Sequence, residues 1–79
     1  MKLPRDLSGV ELAKALCKHH AYLEVHQVGS HIILQTDSPT SHRIAIPAHP
    51  NLRIGTLNAI LRAVAAHKGI SREEILSHL

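Results

Sequence analysis

Histidine supplies most of the reactive chemistry in this chain of 79 residues, with eight copies at positions 19, 20, 26, 31, 42, 49, 67 and 78, beside one cysteine, Cys17. Imidazole changes charge near an unperturbed pKa of roughly 6.5, so it can take or give a proton at neutral pH, and it can also ligate a metal. Ligation needs convergent spacing. His19-His20, His42, His49, His67 and His78 show no two-ligand helical spacing and there is no second cysteine, so neither a metal nor any other cofactor is expected. A nucleophilic cysteine wants exposure and an electropositive setting, whereas Cys17 falls on an apolar helical stripe, where packing is its expected role. Proton transfer is what remains, and it is open to several of these imidazoles, among them His31 directly after Gly29-Ser30.

The elements around it can be read from pattern. Ser8-Gly9-Val10-Glu11 has the form of a capping box, Leu7 and Leu12 are placed as a hydrophobic staple, and Leu12, Ala13, Leu16 and Cys17 make one stripe, predicting a helix to about His19. Tyr22 to Val28 and His31 to Thr36 are β-prone runs joined by Gly29-Ser30. Glycine at the first central position is what a type II′ hairpin turn requires. A two-residue turn pairs Val28 with His31, His26 with Ile33 and Glu24 with Gln35. Directly opposed residues share a face, so Leu23, Val25, Ile32 and Leu34 are expected inward, and Glu24, His26, His31 and Gln35 outward.

After a loop over Asp37 to Ser41, His42 to Ile46 alternates as a third antiparallel strand, with Ile44 and Ile46 inward and Arg43 and Ala45 outward. Pro47 and Pro50 end the sheet because proline lacks the ladder donor. From Thr56, the positions Leu57, Ile60, Leu61, Val64 and Ala65 repeat at helical spacing up to a glycine cap at Gly69. Gly55-Thr56 reads as the approach to that helix, able to cap it or to offer N–H groups to a phosphate. Ser71-Arg72-Glu73-Glu74, with Ile70 and Ile75 as a staple, predicts a last short helix over Arg72 to His78. The expected fold is α+β, ordered α-β-β-β-α plus a short C-terminal helix. Its three-stranded antiparallel sheet should carry both main helices on one face.

Seventy-nine residues suit one domain over positions 1–79, and with 44% hydrophobic and 19% charged residues the chain should fold. A lone cysteine calls for no oxidising compartment. Met1 to Pro4 is too short for a secretory signal, and the longest apolar stretch, Ala63 to Ala66, is far below the roughly 20 residues that span a bilayer. A cytoplasmic location without membrane contact is expected. The net charge of +3 favours a polyanionic partner. With one tyrosine and neither tryptophan nor phenylalanine, base-stacking platforms are excluded and phosphate contacts must dominate.

Taken in order, Gly29-Ser30-His31 at a hairpin, Pro47-Ala48-His49, and Gly55-Thr56-Leu57 opening a helix make the chain resemble the HicA family over nearly its whole length. The resemblance implies a double-stranded-RNA-binding-like fold and a bacterial toxin that cleaves messenger RNA. It further implies a HicB-type antitoxin masking the His31 face, and a catalytic role for His31. Two departures stand out: Ala48 and Ile54 occupy positions where family members often carry basic residues. The residue chemistry is compatible with this role, since RNA carries its own nucleophile. A base need only take the 2′-hydroxyl proton and an acid protonate the leaving oxygen, which asks for imidazole and no metal. His26 and Arg43, outward on the same sheet, are candidates for holding the phosphate. Lys14 and Lys18, with Lys2, are candidates for a basic RNA-contacting surface near the first helix. Two other functions fit the same sequence: a non-catalytic RNA-binding module, and a protein-interaction domain.

Overall fold

The computed structural model describes residue 3 and residues 6–79; the expectation for Lys2 lies outside them. Local signals set the first element. The Ser8 hydroxyl accepts from the Glu11 N–H at 3.0 Å and the Glu11 carboxylate accepts from the Ser8 N–H at 3.2 Å, so both halves of the capping box are made and α1 runs Gly9–His19. Leu7, Leu12, Ala13 and Leu16 are buried, with Cys17 half-buried beside them.

Three strands follow, β1 (Leu23–Val28), β2 (His31–Thr36) and β3 (His42–Pro47), in one antiparallel sheet of order β1-β2-β3. Gly29 has φ 58°, the left-handed value needed at the first central position of the expected turn. Next to the turn the register is as expected, with Val28 opposite His31 and His26 opposite Ile33. Farther out it departs. A bulge between Glu24 and His26 shifts the pairing, so Glu24 lies opposite Leu34 and Leu23 opposite Gln35.

One inserted residue turns the remainder of a strand over, because side chains alternate with period 2. The expected inward placement of Leu23 and Val25 is therefore wrong: they are 71% and 45% exposed. Glu24, expected outward, instead lines a cleft beneath α1. Tyr22 precedes the strand and is fully buried.

Ile32, Leu34 and Ile46 form the buried face of the sheet, covered by α1, which touches all three strands, and by α2 (Ile54–Lys68), which touches β3. Leu57, Ile60, Leu61 and Val64 are the buried stripe of α2, and Gly69 ends it at φ 67°. Its start is two residues earlier than expected. Arg53 is the N-cap residue, with no side-chain bond to the helix, so Gly55 and Thr56 lie inside the first turn rather than before it. The last helix, α3 (Arg72–Leu76), is shorter than expected. Ser71 caps it by accepting from the Glu74 N–H, and Ile75 is buried against the core. The result is an α+β fold with layout αβββα plus a C-terminal helix, one face of its sheet covered and the other bare.

Candidate active site on the open face of the sheet

His31 is the first residue of β2, so the turn that makes the hairpin also aims its side chain. It is exposed, lies opposite Val28 on one side and Pro47 on the other, and points away from the helices. The turn before it is tied to the residue after β3, and the loop that follows is tied to the start of α1. The Ala48 N–H donates to the Ser30 carbonyl at 2.6 Å, the Gly9 N–H donates to the His49 carbonyl at 3.0 Å, and the Leu52 N–H donates to the Leu7 carbonyl at 2.8 Å. The start of α1, the end of β3 and the hairpin turn are thereby fastened together. Gly9 is needed for this: a Cβ there would run into the Pro47 carbonyl.

Neither ring nitrogen of His31 makes a hydrogen bond among the described residues, and the same holds for His26. His26 pairs with Ile33, which makes it the diagonal cross-strand neighbour of His31, a relation that typically spans about 7–8 Å. Arg43 is on the same face but farther off, opposite Gln35, where its Nε and Nη2 donate to the Gln35 Oε1 at 3.1 and 2.6 Å. Four residue steps along β2 separate that pair from His31. Lys14 and Lys18 lie elsewhere still. They line, with Val10, Ala13, Cys17, Glu24 and Ile32, a cleft of about 350 Å³ on the helix side. In that cleft burial, and then the Glu24 carboxylate, push the Cys17 thiol pKa up, which disfavours the thiolate and any nucleophilic role.

Five of the remaining histidines are engaged on the helix side. His19 stacks on His78 at 4.2 Å between centroids, and His78 Nδ1 is 3.3 Å from His20 Nε2. At the other end, Tyr22 Oη bonds His42 Nδ1 at 2.9 Å, His42 stacks on His67 at 4.4 Å, and His67 Nε2 donates to the Thr40 carbonyl at 2.9 Å. Lys68 closes that cluster. Its ammonium donates to Thr36 Oγ1 and the Ser38 carbonyl at 2.8 and 2.6 Å and sits 5.0 Å from the Tyr22 ring centre. Burial, followed by the facing imidazoles, lowers the pKa of His20 and His42, and the same causes lower His19. Sequence reasoning counted these histidines without finding their partners. The pairings join residues far apart in the chain, His19 with His78 and His20 with His78 among them, and no local pattern announces them. His49 is exposed in the loop after β3. Among the described residues no group of three or more potential ligands is placed to hold a metal, and no helix is long and apolar enough to cross a membrane.

A three-stranded antiparallel sheet with helices on one face and unengaged imidazoles on the other defines a small α+β domain with an open sheet face. Residues 9–65 match the family model described as the HicA toxin of bacterial toxin-antitoxin systems, and the chain belongs to that family. No curated protein and no solved structure matches it. Membership makes it a toxin-family protein with an antitoxin partner.

Proposed function

We propose that this chain is a metal-independent endoribonuclease toxin that cuts messenger RNA in the bacterial cytoplasm, with His31 as its general acid and base. The observation that carries the reading is the state of His31: exposed, unengaged at both nitrogens, and held on a fastened hairpin. A general base must reach the proton it takes, and this imidazole has nothing to leave before it does so.

In the proposed reaction an imidazole removes the 2′-hydroxyl proton and the 2′-oxygen attacks phosphorus. The P–O5′ bond then breaks and the leaving 5′-oxygen gains a proton. The products are a 2′,3′-cyclic phosphate and a 5′-hydroxyl, and no metal or oxidant enters the balance. His26, diagonal to His31, is the nearest second imidazole and serves as phosphate contact or proton partner. Gly29 and Ser30 shape the turn. Lys14 and Lys18, across the sheet, contact phosphates outside the reacting centre.

The bare face also suits the antitoxin. Leu23 and Val28, 71% and 58% exposed, flank His26 and Ile33 there, and a HicB-type partner seated on this apolar surface would cover His31 with it. The reading is tested by incubating purified protein with RNA in EDTA. Cleavage is expected, ending in cyclic phosphate, and His31→Ala is expected to abolish it while the far-ultraviolet dichroism stays unchanged. Full activity in that variant would remove His31 from the mechanism.

A further inference from the structure

The open face carries one more built feature that the cleavage step does not use. Arg43 is exposed on β3, and two of its nitrogens are held by a single acceptor, the Gln35 side-chain oxygen, across the strand pair. Gln35 is itself steadied by its amide, which donates to Asp37 Oδ1 at 3.4 Å. The guanidinium is thus fixed in place by a neutral partner. No carboxylate bonds it directly, Asp37 meeting it only through Gln35, and its remaining N–H groups make no hydrogen bond among the described residues. The strand residues on this face, Leu23, His26, Val28, His31, Ile33, Gln35, Arg43, Ala45 and Pro47, include no acid, and Arg43 is the one permanent charge among them.

The ladder fixes its distance from the reacting centre. His31 is opposite Pro47 and Gln35 is opposite Arg43, a separation of four residues along β2 (35 − 31), or about 13 Å at roughly 3.3 Å per residue. A stacked strand advances about 3.4 Å per nucleotide and a stretched one more, so this gap corresponds to about two to four nucleotides. We infer that the Gln35–Arg43 pair is a phosphate subsite for single-stranded RNA, holding the strand a few nucleotides away from the bond at His31. The inference rests on the ribonuclease reading for the position of the cut, but not for the contact itself. A planar guanidinium fixed on one side is suited to a phosphate oxygen pair on the other. RNA would then lie along β2 and β3, and substrates too short to reach from His31 to Arg43 would be cut less efficiently.

The test uses the full chain and a 2′-O-methylated oligoribonucleotide of mixed sequence, which keeps every phosphate and lacks the nucleophile. Binding is measured against salt for the wild type, Arg43→Ala and Gln35→Glu. Each phosphate neutralised on a single strand contributes about 0.7 to the slope of log K against log salt, so Arg43→Ala is expected to lower the slope by about that amount. Gln35→Glu keeps an acceptor for Arg43 and cancels its charge, while removing the amide that Gln35 donates to Asp37. It is therefore expected to weaken binding in the same direction and to lower the salt slope in a protein whose far-ultraviolet dichroism is unchanged, which a merely structural role for the pair would not produce. An unchanged slope in Arg43→Ala, or tighter binding in Gln35→Glu, overturns the subsite, as does a wild type that does not bind. Cleavage of unmodified RNA by the wild type is scored separately. Cutting with an unchanged slope leaves the nuclease and removes the subsite; a lowered slope without cutting does the reverse.

Discussion

The two faces of the sheet use the same side chain for opposite ends. On the helix side, imidazoles are spent on one another: His19, His20 and His78 join the end of α1 to the residues after α3, and His42 and His67 join β3 to α2. On the open side, His26 and His31 face solvent with no hydrogen bond among the described residues. The contrast teaches that the number of histidines carries little functional information and that their engagement carries much. Burial, and then a facing imidazole, lower the pKa of His19, His20 and His42. One standing alone remains available as acid or base.

The largest expected effect is on the open side. Replacing His31 by alanine should cost about 10²–10⁴-fold in RNA cleavage, measured as single-turnover rate, with an unchanged thermal midpoint. A comparable loss from His42→Ala in a folded protein would break the division between the faces. Next comes the fastening under His31. Gly9→Ala pushes a methyl into the Pro47 carbonyl, and overpacking of this kind costs about 1–3 kcal/mol. Urea denaturation should show that loss, and cleavage should fall with it if the position of the hairpin matters.

On the helix side Tyr22→Phe removes the bond to His42 Nδ1. It should lower stability by about 0.5–1.5 kcal/mol while leaving cleavage intact. The smallest effect is the pH dependence of stability. His19, His20 and His42 have lowered pKa values, so between the folded value and the unfolded one near 6.5 the unfolded chain binds more protons. Their contribution is present above about pH 6.5 and is lost as pH falls through that value toward the folded pKa. Denaturation midpoints at pH 7.5 and 5.5 should differ in that sense, and replacing all three by glutamine should flatten the difference. A midpoint that rises on acidification would refute the self-engaged reading of the helix-side histidines.

Much of the frame was legible because its signals are local. The Ser8–Glu11 box, the Gly29 turn, the alternation of Ile32 and Leu34, and the Gly69 cap each act within a few residues, and each is found where expected. Correct register beside the turn placed His31 on the outer face. The misses share a different cause. The bulge after Glu24 has no glycine or proline to mark it, and it reverses every residue beyond. The start of α2 at Ile54 is set without a side-chain cap, so no capping residue signalled it. The Gln35–Arg43 clamp follows from the register of β2 against β3, which no tight two-residue turn fixes, and the histidine stacks depend on how α1, α2 and α3 come together.

The bulge in β1 has an electrostatic consequence. Continuous pairing from the turn would have set Glu24 opposite Gln35, in the row that holds Arg43. There its carboxylate would have competed for the guanidinium and placed a negative charge in the path of any phosphate strand. With one residue inserted, Leu23 takes that row and Glu24 passes to the helix side, into the cleft shared with Lys14 and Lys18. A backbone irregularity thus sorts charge between the faces. Deleting Val25, the residue left unpaired at the bulge, would be expected to give a regular ladder that keeps Leu23 opposite Gln35 and Glu24 opposite Leu34, so Arg43 would keep its acid-free row.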